Sequence, residues 1–237
     1  MVHGQGDART PRERRHDETL ARILDAAMEL VVTEGTAALS IQKLAARVDY
    51  TPGALYRYFD SKDAILARLV ERTLGEVSAH LARAEAALPG RASPLARVFA
   101  LATAYRDFAR TSPHRFGLLA MTLAEPRVVL ERPEDAEPVA RVMIGALGPL
   151  AAALGDAAEA GLLAPGDAAE RTVCLFALLQ GVLQMSKQAR VAPALLDVDR
   201  LVAQGARSLL VGWGGEPKKV DAAARAARSA STEGDER

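Results

Sequence analysis

Residues 41–62 leave this chain fewer structural options than any other stretch, because each helix start and stop in them is marked by a residue of specific type. Ser40 is an N-cap residue whose hydroxyl can accept from an orphan backbone N–H, and behind it Ile41, Leu44, Ala45 and Val48 fall on one helical face. Asp49 and Tyr50 break that spacing. Thr51 can cap a second helix, and Pro52 suits its first position, where no N–H is needed. Leu55 and Phe59, four apart, anchor this helix inward; Thr51, Ala54, Arg57 and Tyr58 are left on or near the outer side, with Tyr56 on the flank. Gly53 and Ala54 keep the outer surface low, so that a backbone can come close to something. Ser61 then caps a long third helix with Lys62 in its first turn, where ammonium and N-terminal amides can converge on one phosphate. Such an arrangement suits DNA: phosphates need hydrogen-bond donors, and base edges need a helix slim enough for the roughly 12 Å major groove. The candidate DNA-contacting residues are Ser40, Gln42, Thr51, Pro52, Gly53, Ala54, Tyr56, Arg57, Tyr58 and Lys62.

The runs Leu39-Ser-Ile-Gln-Lys-Leu-Ala-Ala-Arg-Val, Thr51-Pro-Gly-Ala-Leu-Tyr-Arg-Tyr-Phe and Ser61-Lys-Asp-Ala-Ile-Leu together resemble the DNA-binding domain of the TetR (tetracycline-repressor) family of transcriptional regulators. With the preceding helix the resemblance covers about residues 17–69, without a gap. Beyond that it is one of layout. It implies an all-helical homodimer that binds a palindromic operator, usually represses, and lets go when a small molecule occupies the C-terminal domain.

Composition fits that expectation with one exception. At 237 residues, 49% hydrophobic and only 4% aromatic, the chain has ample Leu, Ala and Val for a helical core. The lone cysteine, Cys174, excludes an internal disulfide framework and fits a reducing cytoplasm; it reads as a small core hydrophobe. No uninterrupted apolar run reaches the roughly 18 residues of a membrane span, and the N-terminus lacks the apolar core of a signal peptide, so a cytoplasmic protein is expected. The exception is charge: thirty basic residues balance thirty acidic ones, and the overall electrostatic footprint of a nucleic-acid binder is missing. Arg9, Arg12, Arg14 and Arg15, just ahead of the first helix, could supply it locally.

In chain order, residues 1–16 read as a flexible basic arm, 17–62 as the helix-turn-helix domain, 63–212 as a helical effector-binding and dimerisation domain, and 213–237 as a disordered tail rich in Ala, Arg, Lys, Ser and Glu. Leu20, Ile23, Leu24, Ala27, Met28 and Val31 form the stripe of a first helix ending at Gly35. The helix begun at Ser61 continues towards Leu81, stops at Leu88-Pro89-Gly90, and is shared by both domains. Ser93-Pro94 and Ser112-Pro113 open two more. Three prolines predict an irregular connection over 122–138, and Gly148-Pro149 a kink or break in a helix over 139–160. Asp167 and Asp197 cap helices predicted over 167–190 and 197–211.

The helix over 167–190 is apolar nearly all round and so calls for a second partner. Leu179, Leu183, Val202, Ala206 and Leu209 are the expected contacts of a four-helix homodimer interface. A pocket for an apolar or amphipathic effector is expected among Phe99, Tyr105, Phe108, Phe116, Met121, Met143, Phe176 and Gln180, with Arg106 and His114 as polar contacts. His3, His16, His80 and His114 lack metal-ligand spacing, and no Ser-His, Cys-His, Gly-rich phosphate loop or paired-carboxylate motif points to catalysis or a cofactor. The alternatives are a DNA-bound activator or architectural protein with no effector, and a helical small-molecule carrier.

Overall fold

The computed structural model describes residues 10–124, 132–189 and 191–235, and no strand occurs among them. The chain divides into two compact units, Met1–Arg72 with Arg127–Val139, and Thr73–Pro126 with Ala140–Arg237.

The first unit starts earlier than periodicity predicts. Helix α1 spans Pro11–Glu34, so residues 11–16 are helical rather than part of a flexible arm. The cause is a capping box: Glu13 N–H donates to Thr10 Oγ1 at 3.2 Å, Thr10 N–H donates to Glu13 Oε2 at 2.7 Å, and Pro11 occupies the first helical position. Residues 1–9, including Arg9 of the basic arm, lie outside the described residues. Ile23, Leu24, Ala27 and Leu30 are buried, and Gly35 ends the helix at φ 83°. After a 3₁₀ turn at Thr36–Ala38, α2 (Ile41–Arg47) and α3 (Pro52–Leu55) follow, with Leu44 and Leu55 completely buried between them. Asp49 turns the chain between the two at φ 58°, a left-handed conformation that Asp tolerates better than most residues.

Helix α4, Lys62–Ala86, is continuous across the division of the chain, which falls between Arg72 and Thr73. Within the second unit α5 (Pro94–Thr111) is the central element, with Leu95, Val98, Phe99, Leu101, Tyr105 and Phe108 all buried. Helix α6 spans Pro113–Ala124. Helix α7 spans Pro133–Glu159, so 122–124 and 133–138 of the expected irregular connection are helical, with 125–131 outside the described residues. Pro133 takes the first helical position, and Pro138, less than two turns in, removes a single backbone hydrogen bond. The helix also runs unbroken through Gly148-Pro149. By length and composition α7 could cross a membrane, the one described helix that could; it buries Ala146, Leu150, Ala153, Leu154 and Ala157, all in the second unit.

The apolar stretch after Asp167 is shorter than expected: α8 spans Ala168–Gln184, Met185 makes a turn, and a short α9 covers Ser186–Ala189. Helix α10, Val198–Gly212, begins at the Asp197 cap as predicted. It crosses α8 closely, since a Cβ on Gly205 would lie 2.6 Å from the Leu178 side chain. The predicted disordered tail is instead α11, Pro217–Asp235. Val220, Ala223 and Ala227, spaced three and four apart, are buried as α11 packs along α5 and α10. Alanine-rich composition, read as a mark of disorder, here serves helix propensity.

Candidate nucleic-acid interface and effector site

The candidate DNA reader, residues 40–62, is assembled by three hydroxyl caps. Ser40 Oγ accepts from Lys43 N–H and Thr51 Oγ1 from Ala54 N–H, each at 3.2 Å, and Ser61 Oγ accepts from Ala64 N–H at 2.9 Å. With Leu55 and Phe59 buried, Thr51, Pro52, Gly53, Tyr56, Arg57 and Gln42 are exposed, while Ser40, Ala54, Tyr58 and Lys62 are partly so. The ten candidate residues therefore sit in one unit with none in its core.

Charge at the reader is partly spent on structure. Lys43 Nζ donates to Glu34 Oε2 at 2.9 Å, holding the Glu34 carboxyl below its ordinary range, and Arg47 pairs with Glu29 and Glu34 at 3.5 and 3.9 Å. Among the described residues Arg57 and Lys62 have no such carboxylate partner, and their charge is available to a phosphate. Two further contacts support this face. His16 stacks on Tyr58 with ring centroids 5.0 Å apart and planes 15° apart, so the extra turns of α1 brace the reader. Arg132, just ahead of α7, donates to Asp60 Oδ2 at 2.9 Å and pushes the Asp60 carboxyl below its usual range. The stack follows from the capping box of Thr10 and Glu13, a sequence signal that extends α1 back to Pro11.

In the second unit the expected effector residues separate onto opposite faces of α5. Tyr105 and Phe108 are on one side. Tyr105 packs against Phe116 and Phe176 with ring centroids 6.0 and 5.9 Å apart, and its hydroxyl donates to Gln180 Oε1 at 2.6 Å. Burial raises the Tyr105 hydroxyl well above its ordinary pKa, so it stays a neutral donor. Gln180, 6% exposed, has an amide Nε2 with no hydrogen-bond partner. A buried unpaired donor costs about 1–3 kcal/mol. Phe108 lies against His80, 6.1 Å away. Met121 and Met143 are half-buried, and His114 is exposed at the start of α6, away from a buried lining. Phe99 and Arg106 are on the other side of α5, facing α10 and α11.

Four of the five expected dimer contacts are buried within the chain itself. Leu179, Leu183, Val202 and Ala206 are between 0 and 3% exposed and form the core where α8, α10 and α5 meet; only Leu209 is half-buried. The opposite face of α8 is exposed: Val173 (59%), Cys174, Ala177 and Gly181. Cys174 is thus a surface residue, contrary to the core reading, because it lies a quarter turn from Leu175 and shares the outer face.

Two family models match the chain: bacterial regulatory proteins of the tetR family at residues 23–69, and the tetracyclin repressor-like C-terminal domain at 98–209. No curated protein matches it. Among solved structures, the chain is similar to SmeT, the repressor of the Stenotrophomonas maltophilia multidrug efflux pump SmeDEF, at 26% identity over 81% of this chain and 88% of that one, TM-score 0.58. It is also similar to SmeT in complex with triclosan, at 25% identity over 82% and 91%, TM-score 0.61. The regulator FadR from Bacillus subtilis in complex with stearoyl-CoA shares the fold at 16% identity over 81% and 98%, TM-score 0.64.

Proposed function

The chain belongs to the tetR family of bacterial regulatory proteins, and from that premise we propose that this DNA-binding regulator is a repressor that holds a palindromic operator as a homodimer and is released by a small apolar or amphipathic effector. The observation that carries the effector reading is the orphan Gln180 amide in an aromatic cluster. A ligand with an apolar body and one hydrogen-bond acceptor would relieve that donor and gain the burial. The SmeT–triclosan complex supports a ligand of that size and character in a related protein.

For DNA, Thr51, Tyr56, Arg57 and Tyr58 enter the major groove and Lys62 meets a phosphate. For assembly, the outer face of α8 around Val173, Ala177 and Gly181 meets its copy, rather than the buried row first expected; the exposed apolar residues there support this. Coupling runs along α4, which begins at the reader and continues into the effector unit. By linkage, an effector that weakens operator binding must bind the operator-bound protein more weakly by the same factor.

The test uses any compound that raises the melting temperature of the free protein, titrated with and without operator. Weaker binding with operator present is expected, and its loss in Gln180→Leu would place the compound at the cluster. Equal affinities would favour the regulator without an effector. Lys62→Ala should weaken binding to all duplexes alike and lower the salt slope by about one unit; an unchanged slope removes Lys62 from the phosphate contacts.

A further inference from the structure

A concavity lies on the far side of α5 from the Tyr105 cluster. It encloses about 700 Å³ between α5, α10 and α11. Its apolar lining comes from Phe99, Ala102, Val202, Ala203 and Ala224, and its charged lining is five arginines against two aspartates.

The two carboxylates are already engaged. Arg207 forks onto Asp221, Nε to Oδ1 at 2.7 Å and Nη2 to Oδ2 at 3.3 Å. Arg106 pairs with Asp199 at 3.2 Å and with neighbouring Asp107 at 2.9 Å. Arg228 completes the rim. Arg200 reaches nothing better than the Ala194 carbonyl, at 3.4 Å, and Arg225 shares Asp221 with Arg207, which holds both carboxylate oxygens, so that one carboxylate faces two guanidiniums. Two guanidiniums from different helices, α10 and α11, thus border one concavity with charge to spare. Like charges gathered this way repel, and a fork-shaped donor is best answered by an anion with several oxygens. The volume falls in the range of small-molecule sites and is too small for a duplex.

We propose that this groove binds a small organic phosphate ester: the dianionic head is taken by Arg200 and Arg225, and the apolar body lies on Phe99, Val202 and Ala224. The site is separate from the effector cluster and does not depend on it.

The test is titration calorimetry of the full chain with 1-naphthyl phosphate, beside 1-naphthol, 1-naphthoate and inorganic phosphate. The phosphate ester should bind most tightly, with an affinity that falls as salt rises. Arg200→Ala and Arg225→Ala should each weaken it about tenfold, because a charge-assisted hydrogen bond is lost. Arg225→Lys should retain part of the affinity, which protects the result against a variant that folds poorly, and circular dichroism checks the helices. Gln180→Leu should bind the ester as the wild type does. The proposal is overturned if 1-naphthol or 1-naphthoate binds as tightly as the ester, if the ester does not bind, if the arginine variants bind it unchanged, or if Gln180→Leu abolishes binding.

Discussion

The reader and the aromatic cluster around Tyr105 are built on opposite plans. In the reader, the groups offered to a partner point outward and are held by caps three residues away in sequence, Ser40 to Lys43 and Thr51 to Ala54. In the cluster, the polar groups point inward, and the bond that orients them, Tyr105 to Gln180, spans 75 residues. The first kind of site is specified by local spacing. The second exists only after helices far apart in sequence have packed, and its unpaired donor is a property of that packing alone.

The strongest way to break the comparison is at adjacent residues of the reader. Leu55→Ala removes a fully buried side chain and should cost about 2–5 kcal/mol in chemical denaturation, with DNA binding lost along with the fold. Tyr56→Ala, at a side chain 52% exposed, should change stability by no more than about 0.5 kcal/mol yet weaken operator binding in a gel-shift titration. If both variants lost stability equally, the outward face would be structural and the DNA assignment wrong.

Next in size is Tyr105→Phe, which deletes the donor and leaves Gln180 unpaired at both ends; a loss of about 1–3 kcal/mol in urea unfolding is expected. An effector that fills the cluster should recover part of that loss. Val220→Ala, on α11, should cost on the order of 1–3 kcal/mol if that helix is part of the second unit's core, and nothing if the segment behaves as a tail.

The smallest effect is on pH dependence. Asp60 and Asp221 have pKa values lowered by Arg132 and Arg207, so each contributes stability that is present above the ordinary carboxylate range and lost as pH falls through the lowered value. Asp60→Asn should therefore flatten the acid limb of a melting-temperature profile below about pH 4 and leave the neutral region nearly unchanged. A flattened neutral region instead would mean that the pairs matter for more than surface charge.

These contrasts explain what was legible in the sequence. The caps at Ser40, Thr51, Ser93, Asp167 and Asp197 each gave a helix start that the structure repeats, because a cap is a short-range hydrogen bond. Which apolar residues of α8 face inward was not legible. A helix apolar on several sides carries no phase, and only the crossing with α10, set by Leu178 against Gly205, fixes Leu175, Leu179 and Leu183 inside. The same reason hid α11: its buried stripe of Val220, Ala223 and Ala227 is too weakly apolar to stand out until α5 and α10 are beside it.

The exposure of Cys174 makes the outer face of α8 observable. A chain with one thiol, and that thiol on the surface, takes a nitroxide or fluorophore at a single defined position without any prior removal of background sites. In a labelled sample, dipolar spectroscopy would report the separation of two copies directly, and a wild-type thiol shielded by its own copy would react with maleimide more slowly as protein concentration rises.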